Sequence, residues 1–216
     1  MGYECGFSSY NKKLFADYKQ GSNLYDYTND IYNKIKKSIA DNKSLIMQST
    51  QMDIEEVKKI YHKNDFGSYS ICKDIDYWCS IGKYITDLMV EESIIDRSNE
   101  EYYYLITKDD IIKLLCRLCD KYLNPENIKH YDILHGVTYI EDEDHYKLTP
   151  IDGVEFLNKQ TGEYNRVMSG YERDDLVYID LQDDIDNVYT SLVMCLCNML
   201  KNIDFDKEVI VFWESY

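Results

Sequence analysis

Five consecutive apolar residues, Val209-Ile210-Val211-Phe212-Trp213, constrain this chain more than any other feature. A strand with one wet face alternates apolar with polar residues. An unbroken run of β-branched and aromatic side chains fits a strand covered on both faces. The run therefore places a strand inside a sheet covered by helices, and those helices must come from elsewhere in the chain.

Helical spacing is plain in several places. Ile31, Ile35 and Ile39 recur four apart within 28–40, with Lys34, Lys36 and Lys37 on the remaining surface. Thr50 to Asp53 has capping-box spacing ahead of Ile54, Val57 and Tyr61 on one face, and 62–67 closes that helix. Residues 71–90 read as the longest helix: Ile71, Ile75, Trp78, Gly82, Ile85 and Met89 repeat at spacings of three and four, beside a second stripe of Tyr77, Ile81, Tyr84 and Leu88. Glycine in such a stripe weakens a helix by roughly 1 kcal/mol relative to alanine, so Gly82 predicts a close crossing of another backbone. Thr107 with Asp110 caps a further helix along Ile111, Leu115, Leu118 and Tyr122, which Asn124-Pro125 stops. Leu192, Cys195, Leu196, Met199, Leu200 and Ile203 mark the last one.

Strand signals lie between them. Tyr3 to Phe7 reads as a short edge strand, 101–106 and 176–179 as strands, 137–140 as a shorter one, and 145–170 as turns with a hairpin. In Tyr102-Tyr103-Tyr104 the rings must alternate, so at least one sits on a less buried face. The expected architecture is α+β: helices packed on a small, mostly antiparallel sheet, with residues 1–66 as a helical N-terminal extension and 67–216 as the core domain. A chain of 216 residues buries enough surface to fold without a staple.

Charge narrows the partners. The formal net charge is −16, and residues 151–216 alone hold 14 acids against 5 bases, whereas residues 1–50 hold 5 against 7. Such a field repels phosphate backbones and anionic membranes and attracts basic proteins. Nucleic acid is disfavoured, and a nucleotide-like small molecule needs only a local basic pocket. The start carries neither a signal-peptide pattern nor a myristoylation signal, and no window has the apolar length of a membrane span, so the cytoplasm is the expected location. Self-association is left open.

The reactive residue types form no recognised catalytic constellation. Seven cysteines, an odd number, read as reduced thiols. Cys116-x-x-Cys119 has metal or redox spacing, but Cys195 and Cys197 lie two apart on a helix and diverge, so core packing is the expectation. His62, His130, His135 and His145 include no zincin pair. His145 beside Glu143 and Asp144 has the look of an acidic surface loop. Seven acids with one Arg fill 172–186, without a phosphate-cradling glycine loop or EF-hand spacing. No catalytic residue, metal ligand or cofactor is assigned. The densest candidate surface is a protein-docking face made of Asp174, Asp175, Asp183 and Asp184 with Tyr171 and Tyr178, since 22 tyrosines offer rigid recognition area.

Tyr77-Trp78-Cys79-Ser80-Ile81-Gly82-Lys83, the strand and Thr107-Lys108-Asp109-Asp110 helix that follow, and the ending Val209 to Tyr216 resemble an uncharacterised family of small bacteriophage and prophage proteins. The resemblance spans 71–216. Family members carry Tyr-Trp-Arg at the helix start and an aromatic, glycine-rich segment before the penultimate helix. Here Cys79 replaces the Arg, and Val167 to Tyr178 stands where the aromatic segment would be. The resemblance implies a viral origin, with Tyr77, Trp78 and Lys83 as ligand-binding candidates and a changed ligand. The leading expectation is a non-enzymatic phage protein that binds a basic host protein, as an inhibitor of an antiviral defence system would. The alternatives are a small-ligand or nucleotide-sequestering protein and a divalent-metal enzyme.

Overall fold

The computed structural model describes residues 3–64, 67–79, 82–99, 102–119, 124–138, 151–168 and 188–215. In chain order they form β1 (Glu4–Asn11), α1 (Leu24–Asp41), β2 (Leu45–Ile46), β3 (Gln51–Met52), α2 (Ile54–Ile60), β4 (His62–Lys63) and β5 (Tyr69–Ser70). Then come β6 (Cys72–Cys79), α3 (Gly82–Glu91), β7 (Tyr103–Ile106), α4 (Lys108–Cys119) and β8 (Tyr131–Thr138). The chain finishes with β9 (Ile151–Asn158), β10 (Tyr164–Met168), α5 (Val188–Asn202) and β11 (Glu208–Ser215). The fold is α+β, and it divides into two compact units: Met1–Thr107 with Asp204–Tyr216, and Lys108–Ile203.

The first unit is built on an antiparallel sheet in the order β6-β1-β11-β7. The continuous apolar run is its third strand, with Ile210, Val211 and Phe212 buried. One face carries Tyr10 and Val211 under Leu24, Ile31 and Ile35 of α1. The other carries Phe7 against Phe212 and Trp78, with ring centroids 5.2 and 6.0 Å apart, and α3 packs over it. Coverage on both faces is why the run does not alternate.

Several expectations are corrected here. The segment 3–7 belongs to an interior strand, not an edge: β1 pairs with β6 and β11, and Cys5 through Tyr10 are all buried. Ser8 and Ser9 tolerate that burial because their hydroxyls donate to Asp74 Oδ1 at 3.2 Å and Glu208 Oε1 at 3.0 Å. Residues 1–66, expected as a helical extension, instead supply this central strand together with helices.

The expected helix over 71–90 is a strand followed by a shorter helix. Phe7 faces Asp76 while Ser8 faces Asp74, so Ile75 is the extra residue of a β-bulge. One inserted residue turns the period of two into spacings of three and four, which is the helical signature. Gly82 opens α3 instead of lying inside a helix. A Cβ there would fall 2.7 Å from Cys5 Sγ and 3.0 Å from the Tyr3 ring, so the close approach is to side chains at the start of the chain and β1.

The capping box before α2 sits three residues later than expected. Asp53 accepts from the Glu55 and Glu56 N–H groups at 2.9 Å, and Glu56 Oε2 accepts from the Asp53 N–H at 3.2 Å. Thr50 serves the preceding turn, its carbonyl accepting from Met47 N–H at 2.8 Å.

The second unit carries the antiparallel sheet β10-β9-β8, with α5 packed on β8 and β9 and beside α4. The expected hairpin is β9–β10, closed through Gly162 at φ +72°, a conformation natural to glycine. Tyr131 meets Phe156 edge-on at 6.3 Å, and Lys201 Nζ donates to the Tyr131 carbonyl at 2.7 Å. The strand expected at 137–140 runs over Tyr131–Thr138. The strand expected at 176–179 lies outside the described residues.

Burial of tyrosines gives the first unit a defined alkaline limit. Tyr10 is almost fully buried, and its phenol pKa is raised by burial first and then by neighbouring Cys72. Tyr3 is raised by burial and Glu214, and Tyr27 is pushed up to about 12, mainly by burial. Above the ordinary tyrosine value of 10.0 the unfolded chain loses these protons while the folded chain keeps them. The folded state then binds more protons, so stability falls as pH rises. Tyr10 alone accounts for about 1.4 kcal/mol per pH unit, and the more exposed Tyr3 and Tyr27 add smaller amounts of the same sign. Denaturant midpoints should be level up to about pH 9 and drop clearly by about pH 11, with a smaller drop in Tyr10→Phe. Equal midpoints across that range would contradict the burial assigned to these phenols.

Candidate functional site

Among the described residues of the first unit, two clefts bear on function. The larger, about 750 Å³, is lined by Glu4, Asn23, Tyr25, Tyr102, Tyr103, Trp213, Glu214 and Ser215. Strand register gathers most of these residues. Glu4 faces Ser215, Gly6 faces Trp213, and Trp213 faces Tyr103, so three adjacent strands present one corner of one sheet face. Asn23 caps the N-terminus of α1 by accepting from the Asp26 N–H at 3.0 Å, which fixes where Tyr25 stands.

Glycine makes room for the indole that lines this cleft. A Cβ at Gly6 would come within 2.9 Å of Trp213 Cζ2 and 2.6 Å of the Asp76 carbonyl oxygen. The bare Gly6 leaves room for the Trp213 indole across β1, where its Nε1–H donates to Ser8 Oγ at 3.2 Å. Ser8 in turn donates to Asp74, so the indole is held by a short polar chain. Tyr25 meets Tyr103 edge-on at 5.2 Å, and both Tyr25 and Tyr102 are about half exposed, at 51% and 45%. Ring faces with a carboxylate at the rim suit a cation, since the π faces are electron-rich and a guanidinium or ammonium gains from both.

Behind this corner, on the opposite sheet face, lies a buried carboxylate. Glu214 is 3% exposed. Its Oε2 accepts from the Tyr3 hydroxyl, and Oε1 accepts from the Tyr104 hydroxyl at 3.3 Å and faces Arg97 Nε at 3.3 Å. Tyr3 OH also meets Thr86 Oγ1, which donates to the Gly82 carbonyl at 3.2 Å. The Glu214 N–H donates to the Tyr102 carbonyl at 2.9 Å, so the strand end that holds the carboxylate also holds the cleft tyrosine.

The smaller cleft, about 550 Å³, lies among the opposite ends of β1 and β11, α2 and β6, with Ser9, Tyr10, Glu56, Lys59, His62, Lys73, Lys207 and Glu208 among its walls.

Of the residues singled out from the sequence, Asp174, Asp175, Asp183, Asp184, Tyr171 and Tyr178 lie outside the described residues, as does the acidic segment with His145. Tyr77 and Trp78 are consecutive in β6 and face opposite ways: Tyr77 is 51% exposed, and Trp78 is 6% exposed in the core. Lys83 is on α3, 3.4 Å from Asp87. These three do not converge on one site. Cys5, Cys119, Cys195 and Cys197 are buried, and burial pushes the Cys197 thiol up to about 12, far from a reactive thiolate. The Cys119 thiol donates to the Leu115 carbonyl at 3.1 Å. Among the described residues no three or more His, Cys, Asp or Glu side chains are grouped to hold a metal ion, and no helix is long and apolar enough to cross a membrane.

No family model, no curated protein and no solved structure matches the chain.

Proposed function

We propose that the chain is a non-enzymatic binding protein whose aromatic cleft takes up an arginine or lysine side chain from a basic partner protein. The observation that carries this reading is the convergence of Tyr25, Tyr102, Tyr103 and Trp213 with Glu4 on one sheet corner. The chain's charge of −16 supplies the long-range attraction, and half-exposed rings supply short-range affinity without reorganising the core. In the phage setting implied by the sequence resemblance, the partner is a host protein in the host cytoplasm, and a defence factor is one such target. The acidic stretch 172–186 would strengthen the same attraction.

A calorimetric titration with a short arginine-containing peptide tests this directly. Binding should weaken as salt rises, because exposed charges are screened beyond about 10 Å at 0.1 M. Tyr25→Ala with Tyr102→Ala should cost about 1 to 2 kcal/mol of binding while leaving the unfolding midpoint nearly unchanged. Affinity untouched by losing both rings would remove the cleft from the reading.

A further inference from the structure

The smaller cleft brings three lysines and His62 together with three acids. Its acids are already engaged. Glu56 accepts from Lys13 Nζ at 2.8 Å, Asp204 accepts from Lys207 Nζ at 2.7 Å, and Glu208 accepts from Ser9 Oγ at 3.0 Å. The carboxyls of Glu56 and Asp204 are held below the ordinary range by those lysines, so both remain charged partners. Lys59 and Lys73 are lined into the same cleft and, among the described residues, have no ion-pair partner. His62 joins them, with Nδ1 2.8 Å from the Ile60 carbonyl, which leaves Nε2 as the nitrogen not engaged by backbone.

These groups come from separate elements: Lys59 from the last turn of α2, His62 from β4 and Lys73 from β6. Lysine binds as a point charge, whereas the planar arginine fork matches a flat carboxylate. Point charges arriving from several directions match a tetrahedral anion, whose oxygens accept on every side. Ile60, Ile71 and Tyr10 add apolar wall, and about 550 Å³ is the size of a small-molecule pocket. We infer that this cleft is a binding site for a small phosphate-bearing molecule, held by Lys59 and Lys73 with His62 beside them. In a chain this acidic, a local site of that kind selects compact anions over nucleic-acid polymers, which the overall field repels.

Pyrophosphate is the probe. Titrated into the full chain and followed by the His62 ring signals and by calorimetry, it should bind saturably at one site. Lys59→Ala with Lys73→Ala should weaken it at least about tenfold, the loss expected for charge-assisted bonds. Lys36→Ala with Lys37→Ala on α1, outside the cleft, should leave it unchanged. Both lysine pairs are exposed, and matching unfolding midpoints confirm that each variant is folded. Three results would overturn the inference: no saturation, equal weakening in both double variants, or citrate binding as tightly as pyrophosphate. The peptide titration in the aromatic cleft is independent of all three, so either site can fail alone.

Discussion

Glu214→Ala should destabilise the first unit by about 3 to 5 kcal/mol, the cost of removing one member of a buried charged network. The substitution removes the carboxylate that accepts from the Tyr3 and Tyr104 hydroxyls and faces Arg97 Nε. Glu214→Gln keeps an acceptor for the phenols but not the charge, and should cost less, about 1 to 2 kcal/mol. Denaturant unfolding followed by tryptophan emission measures both. A loss below about 1 kcal/mol for the alanine variant would mean that the network is not held as described.

The second large effect concerns Trp78. It is 6% exposed and stands edge-on to Phe7 in the layer between the sheet and α3. Trp78→Ala should therefore cost about 3 to 5 kcal/mol, from lost transfer energy and the cavity left behind. Trp78→Phe should recover a good part of that through the retained ring contact. An unchanged midpoint with altered ligand binding would make the indole a recognition group, as the sequence resemblance implied.

How much of this was legible follows from what each pattern encodes. The strand at 209–213 was plain because β-branched and aromatic residues in a continuous run have few other uses. The helices read over 28–40 and along Leu192 to Ile203, observed as Leu24–Asp41 and Val188–Asn202, were plain because their apolar residues repeat at one unbroken period. β6 was read as helix because the bulge at Ile75 converts one periodicity into the other, and a bulge shows only once the partner strand is known. Tyr3 to Phe7 was read as a short edge strand because the apolar start is brief; the strand continues through Gly6, Ser8 and Ser9, each buried for a specific reason: room for an indole, a bond to Asp74 and a bond to Glu208.

The clefts were the least legible. Tyr25, Tyr102 and Trp213 are far apart in sequence, and no spacing rule links them. What joins them is the register of β11 with β1 and β7 and the entry point of α1, set by Asn23. The abundance of tyrosine signalled a recognition surface, but the particular tyrosines could be chosen only from the sheet.

The chain contains two tryptophans, so a ¹H–¹⁵N spectrum carries two indole signals, assignable with Trp213→Phe. Adding the arginine peptide should shift the Trp213 indole signal saturably, with the same affinity that calorimetry reports, while the Trp78 signal in the core stays still. Peptide binding with neither indole moving would place the contact elsewhere and contradict the aromatic cleft as the binding site.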